Sequence, residues 1–273
     1  MRKSVASTAF GILLLASTAA LAQTPAAAPA PPPPPIPSKP LEQSFEHRFQ
    51  MDYQVPAAAL AKFLPAGFES APAATGAAKD CNLRVIFIDR LNVVGPDNRP
   101  LGKGAARMVY LAAPVKQTAT GTTGQIIIGG ITDNADDVPG AFGNFILATT
   151  AKMSRSVSAD NGAQSATEDW QFESASGERI RMHVAYTPAP ANKGGGTAQT
   201  KFFDPRDPSK FQLFQTEQVT DITRNVTTTP PDRVKEYSFT AGGGKFAPLF
   251  DGTEKALSWD SQRSYMRNIG VPQ

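Results

Sequence analysis

From Phe45 to Tyr53 apolar and polar residues alternate without interruption. Phe45, His47, Phe49, Met51 and Tyr53 fall on one side, and Glu46, Arg48, Gln50 and Asp52 on the other. A period of two is that of a strand with one face in a core and the other in water. Further strands are predicted over Leu83 to Val94 and Ala105 to Val115, joined through the turn Gly95-Pro96-Asp97-Asn98. Ile126, Ile127, Ile128 and Ile131 form a β-branched run that suits a strand covered on both faces. The clearest pairing is a hairpin around Ser174-Ala175-Ser176-Gly177. It sets Trp170 and Phe172 against Ile180, Met182, Val184 and Tyr186, and its other face carries Asp169, Glu173, Arg179, Arg181 and His183. Phe211 to Val226, Val234 to Phe239 and a last stretch around Ala256 to Trp259 complete the strands. A helix is predicted over Ala57 to Leu64 behind Pro56, a loop over Pro188 to Thr197, and an apolar turn over Phe246 to Phe250.

Composition divides the chain before any chemistry is considered. Arg2 and Lys3, an apolar run from Phe10 to Ala16 and the small residues Ala20-Leu21-Ala22 make residues 1–22 a secretory signal peptide, so a periplasmic or secreted destination is expected. The run is shorter than the ~20 residues of a spanning helix, and no later segment offers a membrane span. Residues 23–43 are rich in alanine and proline, with Pro31 to Pro35 in succession, and read as an extended tether. Residues 44–273 are then a single mixed domain. Of 27 basic residues the leader takes two, leaving 25 against 24 acidic ones. That balance gives no basic face for nucleic acid.

Two histidines and one cysteine are too few for a typical zinc site, and the glycine runs lack the context of a phosphate loop. No metal or cofactor is therefore expected. Cys81 reads as a small buried hydrophobe, and His47, placed among aromatics, as a hydrogen-bonded core residue. Polar chemistry concentrates after the isoleucine run. Thr132 or Asp133 can cap a short turn that carries Asp136 and Asp137 up to Pro139-Gly140, and a second apolar segment, Phe142 to Met153, follows. Asp133, Asp136 and Glu168 are the carboxylates available as proton carriers.

The order FEHRFQMDYQVPAAALAKFLPAGFE, LRVIFIDRLNVVG, RMVYLAAPVK, ITDNADDV and FQLFQTEQVTDITRNV resembles acetoacetate decarboxylases over most of Phe45 to Ile269. The resemblance implies an α+β fold, an antiparallel cone-like β-barrel with a few short helices around an apolar cavity, often within a homo-oligomer. It also implies a lysine that forms a Schiff base, in a Pro-Lys-Lys motif downstream of Gly-Arg-Glu. Counted from Asp133-Asn134 without a gap, Gly-Arg-Glu falls on Ala141, Phe142 and Gly143, and the lysine pair on Thr149 and Thr150. The family's arginine falls on Gln54, and its carboxylate after Tyr110 falls near Ala112. A threonine forms no imine. Lys152 is the nearest amine, and strict alternation would put it on the face of Phe142, Ile146, Ala148 and Thr150.

Two functions fit. One is a decarboxylase-like carbon–carbon lyase acting on a small keto or carboxylic compound, with Lys152 as nucleophile and Asp133, Asp136 or Glu168 moving protons. The other is a non-catalytic protein in which Gln54, Tyr110, Ala112, Phe142, Thr149 and Thr150 surround a neutral apolar small molecule.

Overall fold

The computed structural model describes residues 34–134, 144–226 and 232–273. Among the described residues twelve strands make one sheet. They are β1 (Ser38–Gln54), β2 (Phe68–Ser70), β3 (Leu83–Val94), β4 (Ala106–Gln117), β5 (Thr123–Thr132), β6 (Phe145–Asp160), β7 (Ala163–Ser174), β8 (Arg179–Tyr186), β9 (Asn192–Asp204), β10 (Asp207–Asn225), β11 (Val234–Gly242) and β12 (Lys255–Pro272). Among the described residues helix is confined to α1 (Ala57–Ala61) and a 3-10 turn at Gly244–Leu249, so the helix expected to reach Leu64 stops a turn early. Two other boundaries differ from expectation. β1 begins at Ser38, inside the proline-rich stretch, and β9 takes in Asn192 onwards, where glycines suggested a loop.

The sheet closes on itself. Neighbours run β5–β9–β10–β12–β1–β3–β4, and β4 pairs back to β5, making a barrel. Closure gives each strand an inner and an outer face, and both are covered. On β1 the outer side chains Phe49, Met51 and Tyr53 join a core with Phe87, Val109, Leu111 and Trp259. The inner ones, Glu46, Arg48, Gln50 and Asp52, are only 2, 3, 8 and 1% exposed. The polar half of the alternation therefore lines the barrel rather than meeting water. Apolar inner positions, among them Ile86, Ile88, Met108, Tyr110, Phe202 and Phe214, form a second and separate cluster.

β6 leaves the barrel alongside β5 and continues into the antiparallel set β6–β7–β8–β11, whose inner side chains cover the barrel's outer core. The predicted hairpin forms with its apolar residues on one face: Trp170 opposes Met182, and Phe172 opposes Ile180. Trp170 then packs on Phe87, with ring centroids 5.7 Å apart. Where β5 hands over to β6, Gly130 opposes Phe145, and a Cβ at Gly130 would lie 2.6 Å from the Val109 carbonyl oxygen and 2.8 Å from the Phe145 ring. Overpacking of this kind costs roughly 1–3 kcal/mol. Gly130→Ala is expected to lose that much stability in urea denaturation; no measurable loss would mean that the Phe145 ring yields freely.

Candidate active site

Inside the barrel the strands stack side chains in layers. Asp52 on β1 opposes Arg84 on β3 and Ser258 on β12. One layer along, Gln50 opposes Ile86 and Asp260, and Ile86 opposes Tyr110. In the next, Arg48 opposes Gln262. A cavity of about 400 Å³ opens among them. Ile86, Phe202 and Phe214 form an apolar wall, and Thr75 and Ala77 close over it from the β2–β3 connection. Apart from Ala73 and Ala78 the remaining lining is polar, which corrects the expectation of an apolar cavity.

Below the cavity lies a charge cluster centred on Glu46. Arg267 Nη2 meets its Oε1 at 2.5 Å, Arg48 Nε its Oε2 at 2.5 Å, and the Ser44 hydroxyl donates at 2.6 Å. Arg90 Nε stands 3.3 Å away. Burial alone would raise the Glu46 pKa, but Arg267, Arg48 and Arg90 outweigh it and hold the carboxyl at about 2. The guanidinium groups do not respond alike. Burial opposes the charge of both, yet Arg48, paired with Glu46 and beside Tyr265 and Tyr110, is pushed up, whereas Arg267 is pushed down, by burial first and then by repulsion from Arg48 and Arg90. Arg48 also stacks on the Tyr265 ring at 3.5 Å and reaches the Tyr110 hydroxyl at 3.4 Å.

At the other end two carboxyl groups face the cavity in unlike settings. Asp52 receives the Ser258 hydroxyl at 2.9 Å and the Gln50 amide at 3.0 Å, with Arg84 Nε at 3.5 Å. Asp260 has no such support, and its Oδ1 lacks a hydrogen-bond partner. Burial, reinforced by the negative charge of Asp52, pushes the Asp260 pKa up to about 8. Burial raises the Asp52 pKa as well, against the pull of Arg84, Ser258 and Gln50, so the cavity holds two carboxyl groups shifted upward, and Asp260, at about 8, keeps its proton at neutral pH.

Of the residues expected from sequence, Tyr110 lines this cavity and Ala112 is buried in the inner cluster beside it. The others lie elsewhere. Gln54 is exposed at the end of β1. Thr149 is the extra residue of a β-bulge between Ala148 and Thr150, and the bulge reverses the alternation assumed for this segment. Ala151 and Met153 consequently pack on the outer core, while Thr150 is half-buried and Lys152 is exposed in a shallow groove with Asp169, Arg181 and His183. Glu168 is buried outside the barrel, 3.2 Å from His47 Nε2, 3.2 Å from the Tyr186 hydroxyl and 3.1 Å from Trp170 Nε1. His47 is thus the satisfied core histidine expected. Asp133 accepts the Arg107 amide at 2.8 Å, and the Asn134 amide donates to Thr132 Oγ1 at 3.2 Å. Asp136 and Phe142, with the rest of the predicted turn, lie outside the described residues. Cys81 is buried as expected, and burial pushes its thiol up to about 12.

Asp260, Gln262, Gln50, Asp52 and Arg84 were not singled out from sequence. The signal available was the unbroken stretch from Lys255 to Ile269, which holds no glycine or proline and so can run through the whole barrel wall. Among the described residues lining the cavity there is no lysine. Lys245, exposed near Gly129 on the barrel's outer side, has its pKa lowered by desolvation.

No protein-family profile and no curated protein matches the chain. Solved structures do. The enduracididine biosynthesis enzyme MppR, complexed with pyruvate, aligns over 92% of this chain and 93% of its own at 14% identity, with a TM-score of 0.51. MppR with the condensation product of pyruvate and imidazole 4-carboxaldehyde aligns over 85% and 87% at 12% identity, TM-score 0.50. Acetoacetate decarboxylase from Legionella pneumophila aligns over 90% of both chains at 16% identity, TM-score 0.45. At these identities the likeness to MppR is one of fold. The fold shared with MppR is a closed barrel, largely antiparallel, with an appended sheet and, among the described residues, little helix, as the resemblance implied.

Proposed function

We propose that this chain is a carbon–carbon lyase without an imine-forming lysine, acting on a small keto or carboxylic compound held inside the barrel. The observation that carries the reading is Asp260: a cavity carboxyl, kept protonated by burial and by Asp52, with one oxygen left unpartnered. Cleavage of a 3-keto acid would release carbon dioxide and leave its electron pair on the carbonyl as an enolate. Arg84 supplies positive charge for that oxyanion, and Asp260 delivers the proton that quenches it at carbon, then regains one from solvent. MppR, with the same fold, is complexed with pyruvate, a keto acid of suitable size. The ionisable lining argues against the neutral apolar ligand of the binding-protein alternative. The reading of residues 1–22 as a secretory leader supports, within the same proposal, a destination outside the cytoplasm.

Borohydride added with pyruvate or acetoacetate traps an imine as a permanent mass increase. The expected result is carbon dioxide release from a panel of small keto acids with no adduct on any lysine. An adduct on Lys152, or on Lys245 with its lowered pKa, would replace this reading by the imine mechanism.

A further inference from the structure

Amide side chains present an oxygen and a nitrogen that only their hydrogen-bonding partners distinguish. In this cavity the partners fix the choice. Asp52 already receives the Ser258 hydroxyl and faces Arg84, so it acts as an acceptor. Gln50 must therefore turn its NH₂ toward Asp52 Oδ1, at 3.0 Å, and its own oxygen away. That oxygen faces Gln262 Nε2 in a long contact of 3.5 Å. The relay ends at Gln262 Oε1, which has no hydrogen-bond partner although the residue is only 3% exposed. Gln262 and Asp260 stand two residues apart on β12, and both line the cavity.

A buried carbonyl oxygen left unpaired is costly, so a ligand that donates to it gains selectively over one that cannot. The neighbours say which donor suits. Arg48 on β1, Arg84 on β3 and the carboxyl of Asp260 on β12 face the same space, with Asp52 engaged by Arg84 and the Tyr110 and Tyr265 hydroxyls on the far side. Two guanidinium groups and a protonated acid do not favour a cation. A neutral donor fits. Resting on the reading that the barrel holds a keto or carboxylic compound, we infer that this compound carries a hydroxyl group beside its keto group, donated to Gln262 Oε1.

Hydroxypyruvate and α-ketobutyrate differ by a hydroxyl in place of a methyl group, and pyruvate lacks both. Isothermal titration of the full chain with each is expected to show hydroxypyruvate bound about tenfold more tightly than α-ketobutyrate, the worth of one hydrogen bond. Gln262→Leu should abolish the preference. Gln50→Leu keeps Gln262 but frees its amide to turn, and should narrow the preference. It serves as the deciding variant if Gln262→Leu does not fold. Equal affinities in the unmodified chain, or a preference untouched by both substitutions, would overturn the hydroxyl assignment and leave the keto-acid reading standing. Binding of acetoacetate alone, the 3-keto acid of the proposed cleavage, would overturn the hydroxyl assignment, and binding of none of the four acids would overturn both.

Discussion

Glu46→Gln is expected to destabilise the protein by about 3–5 kcal/mol at neutral pH, the usual consequence of removing one partner from a buried ion cluster. The carboxylate is the common counter-charge of Arg48, Arg90 and Arg267, and all four side chains lie out of water. Glutamine keeps the shape and removes the charge, leaving positive groups to repel one another where solvent cannot screen them. The loss should also depend on pH in a defined direction. Glu46 holds its proton less tightly folded, at about 2, than in the unfolded chain near 4.5. Its stabilisation is therefore complete above about 4.5 and disappears as pH falls toward 2, a span worth roughly 3 kcal/mol. Urea denaturation of both proteins between pH 7 and pH 3 should show the curves converging at the acid end. A second substitution, Arg267→Met, should recover part of the loss, because Arg267 Nε and Nη1 are buried without partners already. Curves that run parallel down to pH 3 would show that Glu46 does not carry this linkage.

The position of Glu46 also marks how far the sequence could be read. Its strand, its parity and its separation from Phe49 and Met51 follow from local alternation. What alternation does not encode is what covers the polar side. A half-buried strand in an open sheet and a strand whose polar side chains line a closed barrel have the same pattern. They differ only through the long-range pairings of β4 and β9 with β5 that shut the ring. The β7–β8 hairpin was legible to the residue because its pairing is local and its turn is short. The bulge at Thr149 was not, since one inserted residue leaves composition and hydropathy unchanged while turning Lys152 outward. The same limit applied to the site. Tyr110 could be placed by its motif, whereas Asp260 and Gln262 acquire meaning only when β12 lies against β1 and their neighbours become Gln50 and Arg48.

Asp260→Asn should move activity and stability in opposite directions. Asparagine matches the carboxyl in shape but cannot give up a proton to carbon, so carbon dioxide release should fall by about 100-fold or more, the usual contribution of a positioned general acid. Stability should rise. Asp260 binds its proton more tightly folded, at about 8, than unfolded, near 3.8, because burial and the charge of Asp52 oppose ionisation. The folded protein therefore loses stability steadily as pH climbs through that interval, and above about 8 the full penalty of a buried charge is present. The asparagine variant carries no such penalty, so its advantage in urea should be absent near pH 4 and grow to an amount on the order of a few kcal/mol by pH 9. Turnover of the unmodified chain should decline over the upper part of the same range, as the acid form of Asp260 is depleted above about pH 8. A variant that retains full turnover would remove Asp260 from the chemistry. One that loses turnover without gaining stability at high pH would leave the residue essential but place its pKa near the ordinary value. A carboxyl that costs stability when charged is kept by a protein that uses its proton.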